Sequence, residues 1–172
     1  MEAQPHHVVV MGISGSGKTT IATRLTERLG WVFAEADDFH PAANIAKMTA
    51  GTALTDEDRW PWLEAMRDWM TLQAQAGRST VVTCSALKRS YRDLLTEAEG
   101  QVRFVHLLGD TDLILDRMKT RSGHFMPESL LPSQISTLES LEPDEPGLRI
   151  QNTGTPDDVT TDVIDRLDLP SN

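Results

Sequence analysis

Cysteine is nearly missing from this chain. Cys84 stands alone, so no internal disulfide can form, which fits a reducing compartment. No Cys/His cluster suggests a structural zinc site. No apolar run approaches the roughly 18 residues of a membrane span. The opening run Met-Glu-Ala-Gln-Pro-His-His lacks the basic start and apolar middle of a secretion signal, so a cytoplasmic location is the expectation. Aromatic residues make up only 5%, although four of them are tryptophan. Basic residues are outnumbered, 16 Lys and Arg against 26 Asp and Glu, for a net charge of −10. That excludes general binding to nucleic acid or to a membrane surface, both of which need basic patches. It also sets a condition. If the protein takes anionic ligands, its few cations must be gathered in one cleft.

Repeats, low-complexity tracts and long Gly/Ser linkers are absent too. The 172 residues, 39% of them hydrophobic, suit a single domain with one sizeable core. Short apolar runs alternate with amphipathic stretches. Strands are expected at Val8–Met11, Trp31–Ala34, Thr80–Cys84, Val102–Leu108 and Leu148–Asn152. Helices are expected at Lys18–Leu29, His40–Met48, Thr55–Gln75, Ser90–Glu97, Asp110–Thr120 and Pro156–Leu167. In the third of these, Trp62, Met66, Trp69 and Leu72 mark the expected apolar face. Alternating strands and helices predict an α/β fold: a five-stranded parallel sheet with helices on both faces. The polar, proline-bearing stretch 121–147 fits least well and reads as a mobile lid with some helix of its own.

The first strand runs into Gly12-Ile13-Ser14-Gly15-Ser16-Gly17-Lys18-Thr19, a match to G-x-x-x-x-G-K-[ST]. A chance match in a chain of this length has a probability below about 1% at average residue usage. The glycines let the backbone curl so that successive N–H groups face phosphate oxygens. The following helix adds its positive N-terminal end. Gly12, Ser14, Gly15, Ser16, Gly17, Lys18, Thr19 and Thr20 are therefore the candidate ATP-binding residues. Lys18 is expected to reach the β- and γ-phosphates, and Thr19 to ligate Mg²⁺. The architecture expected is the three-layer fold of P-loop nucleotide-binding proteins.

A GTPase should carry Asn-Lys-x-Asp, and a motor ATPase an acidic pair ending an apolar strand; neither is present. Small kinases instead bring acidic groups from the second strand to the acceptor hydroxyl. Glu35-Ala36-Asp37-Asp38 follows the second strand directly. Asp37 is the candidate to orient that hydroxyl and accept its proton, or to hold a water on Mg²⁺. Asp38 suits a helix cap.

The run Asp37-Asp38-Phe39-His40-Pro41-Ala42-Ala43-Asn44-Ile45-Ala46-Lys47-Met48 resembles the signature of the gluconokinase family. Further matches are Gly51-x-x-Leu54-x-Asp56-x-Asp58-Arg59-x-Pro61-Trp62-Leu63, Cys84-Ser85-Ala86-Leu87-Lys88-x-x-Tyr91-Arg92-Asp93-Leu94-Leu95 and Arg117-x-x-x-Arg121-x-x-His124-Phe125. The resemblance spans Val8 to about Leu141. It implies an ATP- and Mg²⁺-dependent kinase that makes 6-phosphogluconate from D-gluconate, commonly as a homodimer. Glu35 stands where many members have Asp, and Met126-Pro127 departs from the usual lid.

Gluconate needs cations for its carboxylate and polar groups for its hydroxyls. Arg59, Lys88 and Arg92 are the cations nearest the matched motifs, and Lys88 and Arg92, four apart, would share a helix face. The alternative for Arg92 is a surface ion pair with Asp93 or Glu97. His40 is a candidate for a substrate hydroxyl or a structural cap. Arg117 and Arg121 are expected to fold over the transferring phosphoryl group, with His124 reaching the substrate from the lid. Two rival readings remain: a kinase of another hydroxy acid such as shikimate, which the Glu-x-Asp spacing after the second strand resembles, and a nucleotide-sensing switch with no acceptor.

Overall fold

The structure is a computed structural model that describes residues 4–12, 17–52, 54–86, 88–108, 138–139, 141–151 and 154–170. Five parallel strands form one sheet: β1 (His6–Met11), β2 (Val32–Glu35), β3 (Thr80–Thr83), β4 (Gln101–Leu108) and β5 (Gly147–Gln151), in the order β2-β3-β1-β4-β5. The helices among the described residues are α1 (Lys18–Leu29), α2 (Ala42–Thr49), α3 (Asp56–Gln75), α4 (Arg89–Leu95) and α5 (Pro156–Arg166). All five expected strands are present, as the α/β reading requires.

The central strand β1 shows why the sheet is covered on both faces. Val8, Val9, Val10 and Met11 are all fully buried, and alternate residues point to opposite sides. Val9 and Met11 pack with Trp62, Leu63, Met66 and Met70 of α3 and with Tyr91 and Leu95 of α4. Val8 and Val10 pack with Ile21, Ala22, Leu25 and Leu29 of α1 and with Val159 and Val163 of α5. These two cores make the three layers.

Register aligns the ends that matter. Val10 and Glu35 both pair with Thr83, and Met11 pairs with His106. The carboxyl ends of β1, β2 and β3 therefore open onto one rim, the place where parallel α/β sheets take ligands. At the far edge β5 lies so close to β4 that a Cβ on Gly147 would sit 2.0 Å from the Phe104 carbonyl oxygen. Gly147 also has φ 138°, so only glycine suits the position.

Several boundaries differ from expectation for identifiable reasons. His40 does not open α2. It is extended at φ −67°, ψ 133° because Pro41 follows it, and the helix starts after Pro41. Between β2 and α2 the chain makes a 3-10 turn, Ala36–Phe39. The apolar stripe of α3 is Trp62, Leu63, Met66 and Met70; Leu72 is 63% exposed. Met70 lies about 40° around the helix from Met66 and Leu72 about 240°, so Leu72 could not share that stripe. The expected helix at 110–120 lies outside the described residues. So does most of the lid at 121–147, but its described end is fastened to the body: Leu141 and Glu145 are buried.

Candidate active site

The glycine loop begins where β1 ends. Gly17 has φ 98° and ψ 19°, a left-handed conformation that caps α1 and that glycine adopts freely. Lys18 opens the helix, and its Nζ donates to the Gly12 carbonyl oxygen at 3.0 Å, so the lysine arm lies back across the loop. Thr19 is half-buried, and its hydroxyl donates to Glu35 Oε1 at 2.8 Å. Thr20 is exposed on α1. Ser14, Gly15 and Ser16 lie outside the described residues.

The Thr19–Glu35 bond is a link the sequence reading did not make. Its signal was available: Glu35 is the last residue of β2, on the rim that carries the loop.

Asp37 sits in the 3-10 turn after β2. That turn is pinned by Trp62, whose indole N–H donates to the buried Ala36 carbonyl at 2.6 Å. Trp62 also stacks on His40, with ring centroids 4.2 Å apart and planes 14° from parallel. Asn44 Nδ2 lies 3.3 Å from His40 Nδ1 and donates at 2.8 Å to the Asp58 carbonyl. Burial, with the Arg59 charge adding to it, lowers the His40 pKa to about 4. His40 is therefore neutral at physiological pH and accepts at Nδ1 from the Asn44 amide. Trp62 thus has a second task besides core packing: it holds the ring and the acidic turn in place.

Arg59, Tyr91, Asp56 and Lys88 form a chain of polar contacts. Arg59 Nη1 donates to the Tyr91 hydroxyl at 2.8 Å. That hydroxyl donates in turn to Asp56. Lys88 Nζ reaches the same carboxylate at 2.9 Å and 3.1 Å. Both cations also lie near the Tyr91 ring, at 5.5 Å for Arg59 and 5.7 Å for Lys88. Tyr91 and Asp56 appeared in the sequence only as motif positions. Tyr91 is the one tyrosine in the chain, and Asp56 reads locally as a helix-start acid beside the Thr55–Asp58 capping box.

Arg92 is not part of this group, which corrects the expectation that it shares a face with Lys88. Lys88 precedes α4 in extended backbone at φ −113°, so the four-residue spacing does not bring the two side chains together. The Arg92 side chain is 1% exposed. Its Nε and Nη2 donate to Glu145 at 2.6 Å and 3.0 Å, and its Nη1 to the carbonyls of Ala86 and Glu139, both at 2.9 Å. Ala86 adopts φ 45°, rare for a residue with a Cβ, and the Arg92 bond helps to hold it there. Arg92 thus ties the loop that carries Lys88 to the chain entering β5. The surface pairing with Asp93 or Glu97 is not what this buried side chain makes. Arg117, Arg121 and His124 lie outside the described residues.

Cys84 follows β3 and lies beside the end of β1. Its amide donates to the Val10 carbonyl at 3.0 Å. Burial pushes its thiol up to about 12, and the charges of Lys18, Asp37 and Arg59 all act on it. The loop lysine, the acidic turn and the α3 arginine are therefore all within electrostatic reach of Cys84. A thiol held protonated in this way is packing, not a nucleophile.

Residues 8–141 match the sequence model described as the AAA domain. The gluconokinase of Gluconobacter oxydans is 51% identical over 164 residues, covering 95% of this chain and 92% of that protein. A sugar kinase from Janibacter sp. HTCC2649, solved unliganded, shares 53% identity with a TM-score of 0.91, over 96% of this chain and 95% of that one. A gluconokinase structure from Sinorhizobium meliloti shares 40% identity with a TM-score of 0.82, over 97% and 94% of the two chains. With its glycine loop, its acidic turn after β2 and this degree of likeness along nearly its whole length, the chain belongs to the gluconokinase family.

Proposed function

We propose that this protein transfers the γ-phosphoryl group of ATP to the terminal hydroxyl of D-gluconate, giving 6-phospho-D-gluconate and ADP. The observation that supports this reading is the register of the sheet, which sets the glycine loop after β1 and the acidic turn after β2 on one rim.

The glycine loop and Lys18 hold the phosphates. Arg59 and Lys88 take the gluconate carboxylate, and His40 takes a hydroxyl. Asp37 accepts the proton of the terminal hydroxyl as its oxygen bonds to the γ-phosphorus. The bond from that phosphorus to the bridging oxygen breaks, and ADP leaves. Thr19 and Glu35 suit Mg²⁺, which takes hard oxygen donors and often only one or two carboxylates beside phosphate oxygens. When bound, Mg²⁺ offsets negative charge on the phosphates. Arg117 and Arg121 neutralise charge on the transferring group, and His124 contacts the acceptor, from the lid, whose end at 141–147 is fastened to the body. Arg92 serves the site by positioning the Lys88 loop. We assign the working form as a cytoplasmic homodimer with no nucleic-acid or membrane partner; light scattering tests the dimer.

The test is an ADP-coupled assay with Mg·ATP against gluconate, shikimate and other hydroxy acids. Gluconate turnover, lost in Lys18→Ala, supports the reading. Preferred turnover of shikimate favours the Glu-x-Asp analogy instead. ATP binding with no acceptor turned over favours a nucleotide switch, which has no use for the paired cations Arg59 and Lys88.

A further inference from the structure

We propose that Asp56 sets the charge of the acceptor site and so matches it to acids with one carboxylate. The proposal rests on reading Arg59 and Lys88 as the carboxylate site.

The argument is a charge count at short range. Two cations, Arg59 and Lys88, flank Tyr91. One carboxylate, Asp56, touches Lys88 with both oxygens, at 2.9 Å and 3.1 Å. The Tyr91 hydroxyl joins the two ends, accepting from Arg59 at 2.8 Å and donating to Asp56. Lys18 and Asp37 belong to the phosphoryl half of the site and are of opposite sign; the remaining charged neighbours of Arg59 cancel. Asp58 is paired with Lys47 at 2.7 Å, and His40 is neutral. Among the described residues Arg59 has no carboxylate in direct contact, because its hydrogen bond goes to a neutral phenol. Lys88 is therefore matched internally and Arg59 is not. Arg59, Lys88 and Asp56 together carry one net positive charge; Asp56 acts on both cations but bonds directly to Lys88.

An acceptor with a single carboxylate completes that balance. A neutral polyol leaves Arg59 unmatched, and a second carboxylate meets Asp56 across Lys88. The Asp56–Lys88 pair is poorly suited to a purely structural task. Its side chains are 47% and 30% exposed, and pairs that open to water add little to folding.

The probes are glycerate, with one carboxylate, and tartronate, with two on one carbon. Both are titrated against wild-type protein, Asp56→Asn and Asp56→Glu, following tryptophan fluorescence, since Trp60 packs edge-on to Tyr91 at 5.5 Å. The ratio of tartronate to glycerate dissociation constants is expected to fall about fivefold to tenfold in Asp56→Asn, or roughly 1–1.4 kcal/mol. It should return toward the wild-type value in Asp56→Glu. The gain should shrink as salt is raised from about 0.05 to 0.5 M. A merely structural role would weaken both acids alike. An unchanged ratio in a folded Asp56→Asn protein overturns the proposal. Gluconate turnover by the wild type is scored separately, so failure of the assigned reaction is distinguishable from failure of the charge assignment.

Discussion

Replacing Arg92 separates a structural cation from a substrate ligand. In the sequence Arg92 reads as a partner for the acceptor carboxylate; in the structure it is sealed against Glu145, with side chains 1% and 3% exposed. Burial alone would push the Glu145 carboxyl up, but the hydrogen bonds from Arg92 and from the Glu142 amide outweigh it and hold the pKa low. Arg92→Met leaves that carboxylate buried without its partner. Breaking one side of such a pair costs about 3–5 kcal/mol. In a domain of this size that lowers Tm by roughly 6–20 °C. The double variant Arg92→Met with Glu145→Met removes both charges and should recover most of the loss. Urea unfolding of the wild type, both single variants and the double variant measures the coupling. Acceptor KM, taken well below the melting range, is the second readout. If Arg92→Met leaves stability within about 1 kcal/mol of wild type but raises acceptor KM tenfold or more, Arg92 is a ligand and this reasoning fails.

Glu35→Gln weakens the hold on Thr19, and is expected to lower kcat about 10–100-fold and raise the Mg²⁺ concentration for half-maximal rate, read from a Mg²⁺ titration. Gly147→Ala forces a Cβ into the Phe104 backbone, costing about 3 kcal/mol or more in urea unfolding with no direct effect on the rim. Acid should weaken the fold in a defined window. The pKa values of His6, His7, His40 and His106 are all lowered, chiefly by burial, to about 4 for His40 and His106. The unfolded chain therefore binds protons first. Stability is full above about pH 7.5 and falls as pH drops from 6.5 toward 4, by up to about 1.4 kcal/mol per pH unit for each such group. Urea midpoints between pH 5 and 8 check this; a midpoint that rises on acidification contradicts it.

The glycine loop and the alternation of apolar runs with helical periods carried the fold, because both are local. Strand and helix positions follow from residues a few places apart, and β1 announces its burial in four consecutive apolar residues. The positions of Lys18, Thr19 and Asp37 were legible, because a motif at the end of β1 or the end of β2 fixes them locally. The site was not legible where a partner comes from far along the chain. Glu145 lies 53 residues from Arg92, and Asp56 lies 35 from Tyr91. A helical spacing rule suggested that Lys88 and Arg92 work together, but the rule lapses one residue before the helix begins. Pro41 displaced the start of α2 in the same way, since its steric effect on His40 overrides helical periodicity.

The central claim is that the glycine loop and the acidic turn after β2 face one shared acceptor. A single-turnover measurement with γ-labelled ATP and gluconate tests it most directly, comparing wild-type protein with Asp37→Asn. The account predicts label on the terminal oxygen of gluconate, a rate about 100–10,000-fold slower in the variant, and unchanged ATP affinity. Label released to water by the wild type, or full transfer by Asp37→Asn, would contradict it.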